Sequence, residues 1–379
     1  NKNSGVEFEP NNTSDSADSL DFDKETTGSL YASTDTDTYK IVAPASGRLR
    51  LQMSTEQYTQ GGFRFQVYDS NLEIIAADDC IYDECLDKIN SLDVGLVSAG
   101  DYYIFIKPIY SSVPPDGSYV LTASFYEAET ALEFEGNNSF EAAQEVELGV
   151  SYTGNLSSSA DYDIYKFTLD EAGTLDLFMD NEEYTQGGFR FDLVNEDNFY
   201  RASDDCIYDE CVGTVNELRT GVYTAGTYYL WVYSIYQSVS PDGSYRFNLS
   251  FTNKNSGVEF EPNNTSDSAD SLAFNVATIG SFYNSADVDV YKIAAPGSGS
   301  LQLQIVTEQY TQGGFRFQVY DADSELIAGD DCIYDDCLEE VTYLMAGLSK
   351  AGDYYIAVRP IYTSVTPDGS YLFTANFDS

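Results

Sequence analysis

Hydrophobic and polar residues alternate along most of this 379-residue chain, in short runs separated by turn-forming residues. In the first third of the chain, such runs cover 38–42, 48–53, 63–68, 72–76, 102–107 and 118–125. Gly61 and Gly62 are interpreted as a break before one run, and no long amphipathic helix pattern is found. Period-two alternation is typical of half-buried strands. About seven to nine short strands at this spacing predict an antiparallel β-sandwich or jelly roll.

The same pattern occurs three times, because Cys80 returns as Cys206 and Cys332, each 126 positions further on. A unit of this length has the size of a domain with its own core, and it is longer than a common solenoid repeat. The sequence therefore predicts an all-β chain of three tandem antiparallel β-sandwich or jelly-roll-like domains at 1–126, 127–252 and 253–379.

The first and third repeats are more alike than either is to the second, since residues 1–20 and 253–272 are identical. This gives an A-B-A order. The chain opens without an initiator Met or an apolar leader. We interpret it as a mature form or an excerpt of a longer array, with a designed or trimmed chain as the alternative.

Each repeat contains one cysteine pair within Cys-Ile-Tyr-Asp-(Glu/Asp)-Cys. The pairs are Cys80 and Cys85, Cys206 and Cys211, and Cys332 and Cys337. A local disulfide is predicted, and it implies an oxidising, extracytoplasmic setting. A thiol pair for metal or redox chemistry is the alternative, but the flanking acidic residues disfavour a thiolate. The acidic loop Asp78–Cys85 is also a candidate for a second cation site, with a solvated hairpin tip as the alternative.

Sixty-three acidic and eighteen basic residues give a net charge of −45, and there is no histidine. Such a field repels nucleic acid and anionic lipid surfaces. No run approaches the roughly 18 apolar residues of a membrane span, so membrane insertion is not expected. Without histidine, the commonest transition-metal ligand and general base are missing. Oxygen-ligated Ca²⁺ is then the natural metal, although many carboxylates are equally explained by a salt-adapted or soluble surface.

A calcium site is predicted at the start of each repeat. Glu7, Glu9 and Asn11 alternate in an extended segment, which places their side chains on one face. Asp35 and Asp37 form a second such face, and the two together supply enough oxygen ligands for Ca²⁺. The alternative is a solvated acidic linker in which Asp37 caps a turn. The equivalent residues are Glu133, Glu135, Asn137, Asp161 and Asp163 in the second repeat, and Glu259, Glu261, Asn263, Asp287 and Asp289 in the third.

Five motifs in order resemble the bacterial pre-peptidase C-terminal domain: Glu-Phe-Glu-Pro-Asn-Asn and the segments 35–40, 67–72, 99–104 and 116–121. The chain is similar also to the collagen-binding domains of clostridial collagenases. The resemblance implies a small, non-catalytic β-sandwich of secreted proteins, in which the acidic N-terminal segment and downstream aspartates bind calcium and order the linker. This chain departs from it by the cysteine loop, by the segment Tyr58–Phe65 and by the lack of a catalytic domain.

The segment Tyr58–Phe65 holds Arg64, whose expected role is to pair with a partly buried carboxylate. Tyrosines in this segment and in a later loop are candidates for an aromatic face that stacks on sugars or packs on a protein, with sheet core and rim as the alternative. They are Tyr58, Tyr110, Tyr184, Tyr236, Tyr310 and Tyr362.

The repeats carry no histidine for a triad, no Gly-x-Ser-x-Gly motif and no phosphate loop, so an enzyme is not expected. We predict a secreted or cell-surface structural protein, the shaft of a fibre or large adhesin stiffened by calcium. Its expected partners are further copies, joined head-to-tail or as one longer array. The alternative is a multivalent binding module for polysaccharide or matrix protein.

Overall fold

The structure is a computed structural model that describes residues 5–127, 131–181, 184–197, 200–222, 224–239, 241, 243–253, 257–307, 311–334, 336–338, 341–365 and 370–379. Apart from one short 3₁₀ turn, the regular secondary structure of the described residues consists of strands, arranged in three pairs of sheets. These form three tandem β-sandwiches, which confirms the predicted all-β fold class. Within the described residues, no helix has the length and apolar character that a membrane span requires.

The first sandwich contains a short 3₁₀ turn at Ser14–Ser16 and nine strands. The strands are β1 (Asp18–Ser19), β2 (Thr26–Gly28), β3 (Asp37–Ala43), β4 (Gly47–Thr55), β5 (Thr59–Tyr68), β6 (Ile74–Tyr82), β7 (Asn90–Leu96), β8 (Gly100–Pro108) and β9 (Tyr119–Glu127).

The other two sandwiches repeat this order. The second contains β10 (Gln144–Glu145), β11 (Ser151–Gly154), β12 (Tyr162–Leu169), β13 (Gly173–Asn181), β14 (Thr185–Asn195), β15 (Tyr200–Tyr208), β16 (Asn216–Val222), β17 (Gly226–Ser234) and β18 (Tyr245–Thr252). The third contains β19 (Asp270–Ser271), β20 (Ala277–Ser281), β21 (Asp289–Ala295), β22 (Gly299–Thr307), β23 (Thr311–Asp321), β24 (Leu326–Tyr334), β25 (Thr342–Leu348), β26 (Gly352–Pro360) and β27 (Ser370–Asp378).

Each sandwich packs a five-stranded sheet against a four-stranded sheet. In the first, the strand orders are β1-β3-β8-β5-β6 and β2-β9-β4-β7. The short β1 pairs with β3 in parallel, whereas the longer neighbours pair antiparallel. Strands β7, β16 and β25 therefore lie at an edge of the smaller sheet in their respective sandwiches.

The alternation seen in the sequence determines which side chains enter the core. Strand β4 buries every second residue, with Leu49, Leu51 and Met53 fully inside, while Arg48 and Arg50 stay on the outer face. Because side chains on a strand point alternately to the two faces, this pattern gives one apolar face per sheet. Each of three buried clusters takes its residues from a single repeat, so every sandwich has its own core.

The interpretation of Gly61 and Gly62 as a break is wrong, because β5 runs through both residues. The pairing of β5 with β6 shifts register between Thr59 and Phe63. Gly62 lies at this shift with φ +59°, a left-handed conformation that glycine adopts without steric cost. The glycine pair thus forms a β-bulge inside a strand.

The predicted disulfides are present in all three repeats, with Cα–Cα distances of 5.5, 5.4 and 5.4 Å. They join Cys80 to Cys85, Cys206 to Cys211, and Cys332 to Cys337. All six cysteines are described and buried, and each is bonded in this way, so the alternative of a free thiol pair is wrong. Each bond closes the loop that follows β6, β15 or β24. Within the first of these loops, the Glu84 carboxylate accepts a hydrogen bond from the Ile81 amide at 2.9 Å.

Arg64 pairs with a carboxylate of the neighbouring strand, as the sequence predicts. It donates two hydrogen bonds of 2.6 and 2.5 Å to Asp79, which is buried. In the third repeat, Arg316 donates two hydrogen bonds of 2.7 Å to Asp331. The side chain of Arg64 therefore joins β5 to β6, and that of Arg316 joins β23 to β24.

Candidate metal centre

The segment before each sandwich is held against its own domain by backbone pairing. The Glu7 amide donates to the Thr27 carbonyl at 3.1 Å, and the Thr27 amide donates to the Gly5 carbonyl at 3.0 Å. Further on, the Asn11 carbonyl accepts a hydrogen bond from the Thr38 amide at 3.1 Å. The segment therefore passes from β2 to β3 and brings its alternating acidic side chains next to the start of β3.

This arrangement brings together carboxylates that are far apart in sequence. In each repeat, three carboxylates offer ligand atoms that all lie within 4.8 Å of one another. The groups are Glu9, Asp35 and Asp37; Glu133, Glu135 and Asp163; and Glu259, Glu261 and Asp289. Every member is a residue for which the sequence predicts a metal-binding role. Glu7, Asp161 and Asp287 lie next to their groups and act electrostatically on them.

The aspartate that begins β3, Asp37, is completely buried, and only one of its two carboxylate oxygens has a hydrogen-bond partner. Oδ2 of Asp37 accepts a hydrogen bond of 2.5 Å from the Tyr119 hydroxyl, which also contacts the Tyr39 hydroxyl at 2.6 Å. Oδ1 of Asp37 is buried and has no hydrogen-bond partner. The counterparts Asp163 and Asp289 repeat this arrangement with Tyr245 and Tyr371. A tyrosine thus fixes one carboxylate oxygen and leaves the other available to a metal ion, an arrangement that is common around metal ligands.

The asparagine of each segment repeats the pattern. Asn11, Asn137 and Asn263 are at most 1% exposed, and the side-chain oxygen of each has no hydrogen-bond partner. A buried amide oxygen without a partner is costly. Because it occurs at the same position in all three repeats, this oxygen is a candidate ligand of a metal ion.

Asp35 has a different role from Asp37. Its two carboxylate oxygens accept hydrogen bonds from the amides of Tyr31 at 2.9 Å and Thr36 at 3.0 Å. The turn cap that the linker interpretation assigned to Asp37 is therefore Asp35. Asp161 and Asp287 accept the equivalent backbone hydrogen bonds in the other repeats.

Burial and mutual repulsion raise the pKa of a carboxyl in each acidic group. Desolvation, with the adjoining Glu7 carboxyl, raises the pKa of Asp37 to about 9. Desolvation and the neighbouring Asp161 raise the pKa of Glu135 to about 10. In the third repeat, desolvation and the Glu259 carboxyl raise the pKa of Asp289 well above its ordinary value. Close, buried carboxylates cannot all stay ionised unless a cation lies among them.

The donor set fits a hard divalent cation. It consists of carboxylate and amide oxygens, which are the ligands that Ca²⁺ takes at a coordination number of about six to eight. Glu9, Asn11 and Asp37 would hold the ion in the first repeat. The corresponding sets are Glu133, Glu135, Asn137 and Asp163 in the second, and Glu259, Glu261, Asn263 and Asp289 in the third. A bound Ca²⁺ would supply the positive charge that balances the negative charge of the ionised carboxylates.

The same segment contacts the preceding domain. In the third repeat, the Glu259 carbonyl accepts a hydrogen bond of 2.9 Å from the Gly221 amide on strand β16 of the second sandwich. Gly221 also forms an isolated parallel bridge with Phe260. Because the Glu259 side chain belongs to the acidic group of the third repeat, one residue serves both the candidate metal centre and the domain junction.

The predicted aromatic face is exposed where the structure describes it. Tyr58, Tyr110, Tyr184, Tyr236 and Tyr362 are 45–50% exposed, whereas Tyr310 lies outside the described residues. A further tyrosine that the sequence interpretation missed stands at the cysteine loop of each repeat, as Tyr82, Tyr208 and Tyr334. The rings of Tyr58 and Tyr82 stack with centroids 5.7 Å apart. The recurring Cys-Ile-Tyr motif was the available signal.

No protein-family model matches the chain, and no curated protein sequence matches it. Among solved structures, the chain is similar to the pre-peptidase C-terminal domain of collagenase from Bacillus anthracis. The identity is 23% and the TM-score 0.23, over 28% of this chain and 94% of that one. This is the domain type that the ordered sequence motifs resemble.

Two other similar structures match over a longer part of the chain. The M60 catalytic domain of Clostridium perfringens ZmpB with its two CBM51 domains is 10% identical, with a TM-score of 0.20, over 94% of this chain and 35% of that one. The triple jelly roll of an archaeal virus turret is 9% identical, with a TM-score of 0.25, over 95% of this chain and 89% of that one. The chain is distantly similar to the pre-peptidase C-terminal domain.

Proposed function

We propose that this chain is an extracellular structural protein, the shaft of a fibre or of a large surface adhesin. In this role, Ca²⁺ bound at the start of each sandwich stiffens the tandem array. The observation that carries the proposal is the double role of Glu259, whose side chain lies in the acidic group and whose carbonyl binds the preceding domain.

The physical link between metal and stiffness is electrostatic. Without a cation, Glu259, Glu261 and Asp289 can ionise in place only against burial and mutual repulsion, and release of their segment from the domain lets them ionise in water. Release of the segment also removes the Glu259 carbonyl from Gly221. A bound Ca²⁺ reverses both effects, so the junction becomes rigid when the ion binds.

Composition and covalent structure support the extracellular setting. Three disulfides are typical of oxidising compartments, where free Ca²⁺ can also fill sites of modest affinity. The repeated, nearly equal domains support a structural role over catalysis, because an active-site cleft requires loops that break the symmetry between copies.

Small-angle scattering tests the proposed stiffening. In excess Ca²⁺, the chain should have the maximum dimension of an extended rod with a narrow distance distribution, and chelation should shorten and broaden that distribution. Glu133→Gln/Asp163→Asn should loosen only the junction before the second repeat in Ca²⁺. The exposed pair Glu171→Gln/Asp170→Asn is the matched control. An identical distance distribution with and without Ca²⁺ would refute the proposal.

A multivalent binding module is the second candidate function, and one observation favours it. Tyr82, Tyr208 and Tyr334 have φ values of 57°, 58° and 57°, a left-handed conformation that is unfavourable for a bulky residue. They are 43–47% exposed. A strained, exposed aromatic residue repeated three times suits a sugar-stacking surface.

A glycan array tests this candidate. The native chain should bind a defined class of polysaccharide, and Tyr82→Ala/Tyr208→Ala/Tyr334→Ala should weaken the apparent affinity at least about tenfold, because avidity multiplies three weak sites. Tyr31, which is 74% exposed and lies outside the cysteine loop in sequence, provides the control Tyr31→Ala. Equal binding by both variants would exclude the tyrosine surface.

A further inference from the structure

The two junctions inside the chain use the same contact. At the first, a Cβ placed on Gly95 of β7 would lie 2.1 Å from the Glu133 carbonyl oxygen and 2.9 Å from the Phe134 ring. At the second, a Cβ on Gly221 of β16 would lie 2.2 Å from the Glu259 carbonyl oxygen and 2.6 Å from the Phe260 ring. A segment with a phenylalanine therefore lies on a glycine of the edge strand, where no side chain has room.

The third repeat presents this edge uncovered. Gly347 of β25 is the equivalent glycine, and a Cβ placed there would meet no atom within 4 Å. The neighbouring strand differs in the same way, since Asp330 of β24 is exposed. Its counterparts Asp78 and Asp204 are 2% and 0% exposed. Asp78 accepts a hydrogen bond from the Gly243 amide of the following sandwich at 3.2 Å.

The first repeat exposes the segment that corresponds to the one bound at each internal junction. Val6 is 55% and Phe8 39% exposed, whereas Val258 and Phe260 are each 7% exposed at the second junction. The segment is nevertheless held in the same way, because the Phe8 amide donates to Asp18 at 2.6 Å as the Phe260 amide donates to Asp270 at 2.7 Å. Phe8 is therefore already positioned for a contact, and binding requires little further ordering.

The uncovered edge is also less polar than its counterparts. Tyr343 and Met345 of β25 are 55% and 52% exposed. The equivalent of Met345 in the first repeat is Asp93, which is paired with Arg50 at 2.6 Å. In a chain with a net charge of −45, an uncharged edge lowers the repulsion that an approaching acidic copy would meet.

We propose that a second copy of this chain binds here, with Val6 and Phe8 of one molecule on the Gly347 edge of the next. The contact repeats the two internal junctions and buries Phe8 against Gly347, Met345 and Tyr343. Since the two surfaces differ and lie on the first and last repeats, the association is head-to-tail and yields an open filament. The inference rests on the proposed structural function, for which it names the partner.

The test is sedimentation velocity of the full chain in excess Ca²⁺ over a range of concentrations, with electron microscopy of the products. The native chain should form oligomers that lengthen with concentration. Phe8→Glu and Gly347→Leu should each weaken association at least about tenfold, because each removes the centre of the contact. Both residues are exposed or open in the single chain, so the variants keep their fold. Val42→Glu, at a valine 61% exposed elsewhere, and Gly297→Leu, at an open glycine, are the matched controls.

Mixing the two variants gives the sharpest outcome. Phe8→Glu keeps an intact Gly347 edge and Gly347→Leu keeps an intact Phe8 segment, so the mixture should form heterodimers that do not extend. Assembly of either variant alone at the same concentrations as the native chain would overturn the proposal. A chain that stays monomeric but still becomes a rod in Ca²⁺ would overturn it as well, while leaving the proposed function intact. Calcium-independent filaments that both variants abolish would support the contact and show that it does not require the ion.

Discussion

Chelation of Ca²⁺ at pH 8 should lower the unfolding temperature of the chain by about 10 °C. An ion present at about one hundred times its Kd adds about 2.7 kcal/mol to the unfolding free energy of the domain that binds it. For a domain of this size, that gain corresponds to roughly 10 °C. Differential scanning calorimetry in excess Ca²⁺ and in chelator measures the difference.

The size of this difference should depend on pH. In the metal-free protein, the pKa of Asp37 is raised to about 9, whereas an unfolded aspartate titrates near about 3.9. Between these values the folded state binds the extra proton, so the free energy of unfolding falls as pH rises from about 4 to about 9. Ca²⁺ requires the ionised carboxylates and competes with those protons. The stabilisation by Ca²⁺ should therefore grow from pH 5 to pH 8.

A single substitution separates metal binding from general stability. Asp163→Asn replaces a buried carboxyl whose pKa is raised well above its ordinary value by desolvation, so in chelator at pH 8 it should raise the unfolding temperature of the second repeat. In Ca²⁺ the same variant should unfold at a lower temperature than the native chain, because a ligand is lost. Exposed Asp170→Asn should change neither value. Superimposable melting curves with and without Ca²⁺ at pH 8 would contradict the expectation.

The local part of this site could be predicted from sequence alone. Glu7, Glu9 and Asn11 alternate, as do Asp35 and Asp37, and period-two spacing fixes which side chains share a face. That information was sufficient to select every residue of the three acidic groups. It was not sufficient to distinguish Asp35, which caps a turn, from Asp37, which is held by a tyrosine. That difference depends on Tyr119, 82 positions along the chain.

The junction surfaces could not be predicted from the same patterns. Leu92, Val94 and Leu96 alternate with polar residues and mark β7 as a strand, a signal that the sequence interpretation overlooked. Its role as the edge that receives the next domain depends on sheet order, which alternation does not encode. A glycine at this position in all three repeats was visible, but only the approach of the Glu133 carbonyl explains it.

The same substitution at two equivalent glycines should have very different effects on stability: Gly221→Leu should lower the unfolding free energy of the chain much more than Gly347→Leu. The Glu259 carbonyl lies where the new Cβ would be, and it is backbone that cannot turn aside. Overpacking of this kind costs about 1–3 kcal/mol, and displacing Glu259 removes a member of the third acidic group. Gly347→Leu meets open space and should change the unfolding free energy by less than about 0.5 kcal/mol.

Calorimetric Ca²⁺ titration and scattering of the two variants measure this contrast. Gly221→Leu should keep two sites of native affinity, weaken the third at least about tenfold because a carboxylate ligand is displaced, and broaden the distance distribution in Ca²⁺. Gly347→Leu should bind Ca²⁺ as the native chain does at concentrations where the chains are monomeric. Gly95→Leu should instead weaken Ca²⁺ binding at the second site, because Gly95 approaches the Glu133 carbonyl as Gly221 approaches the Glu259 carbonyl. Equal behaviour of Gly221→Leu and Gly347→Leu would mean that the metal centres and the junctions are independent, since only a contact across the junction distinguishes these two glycines.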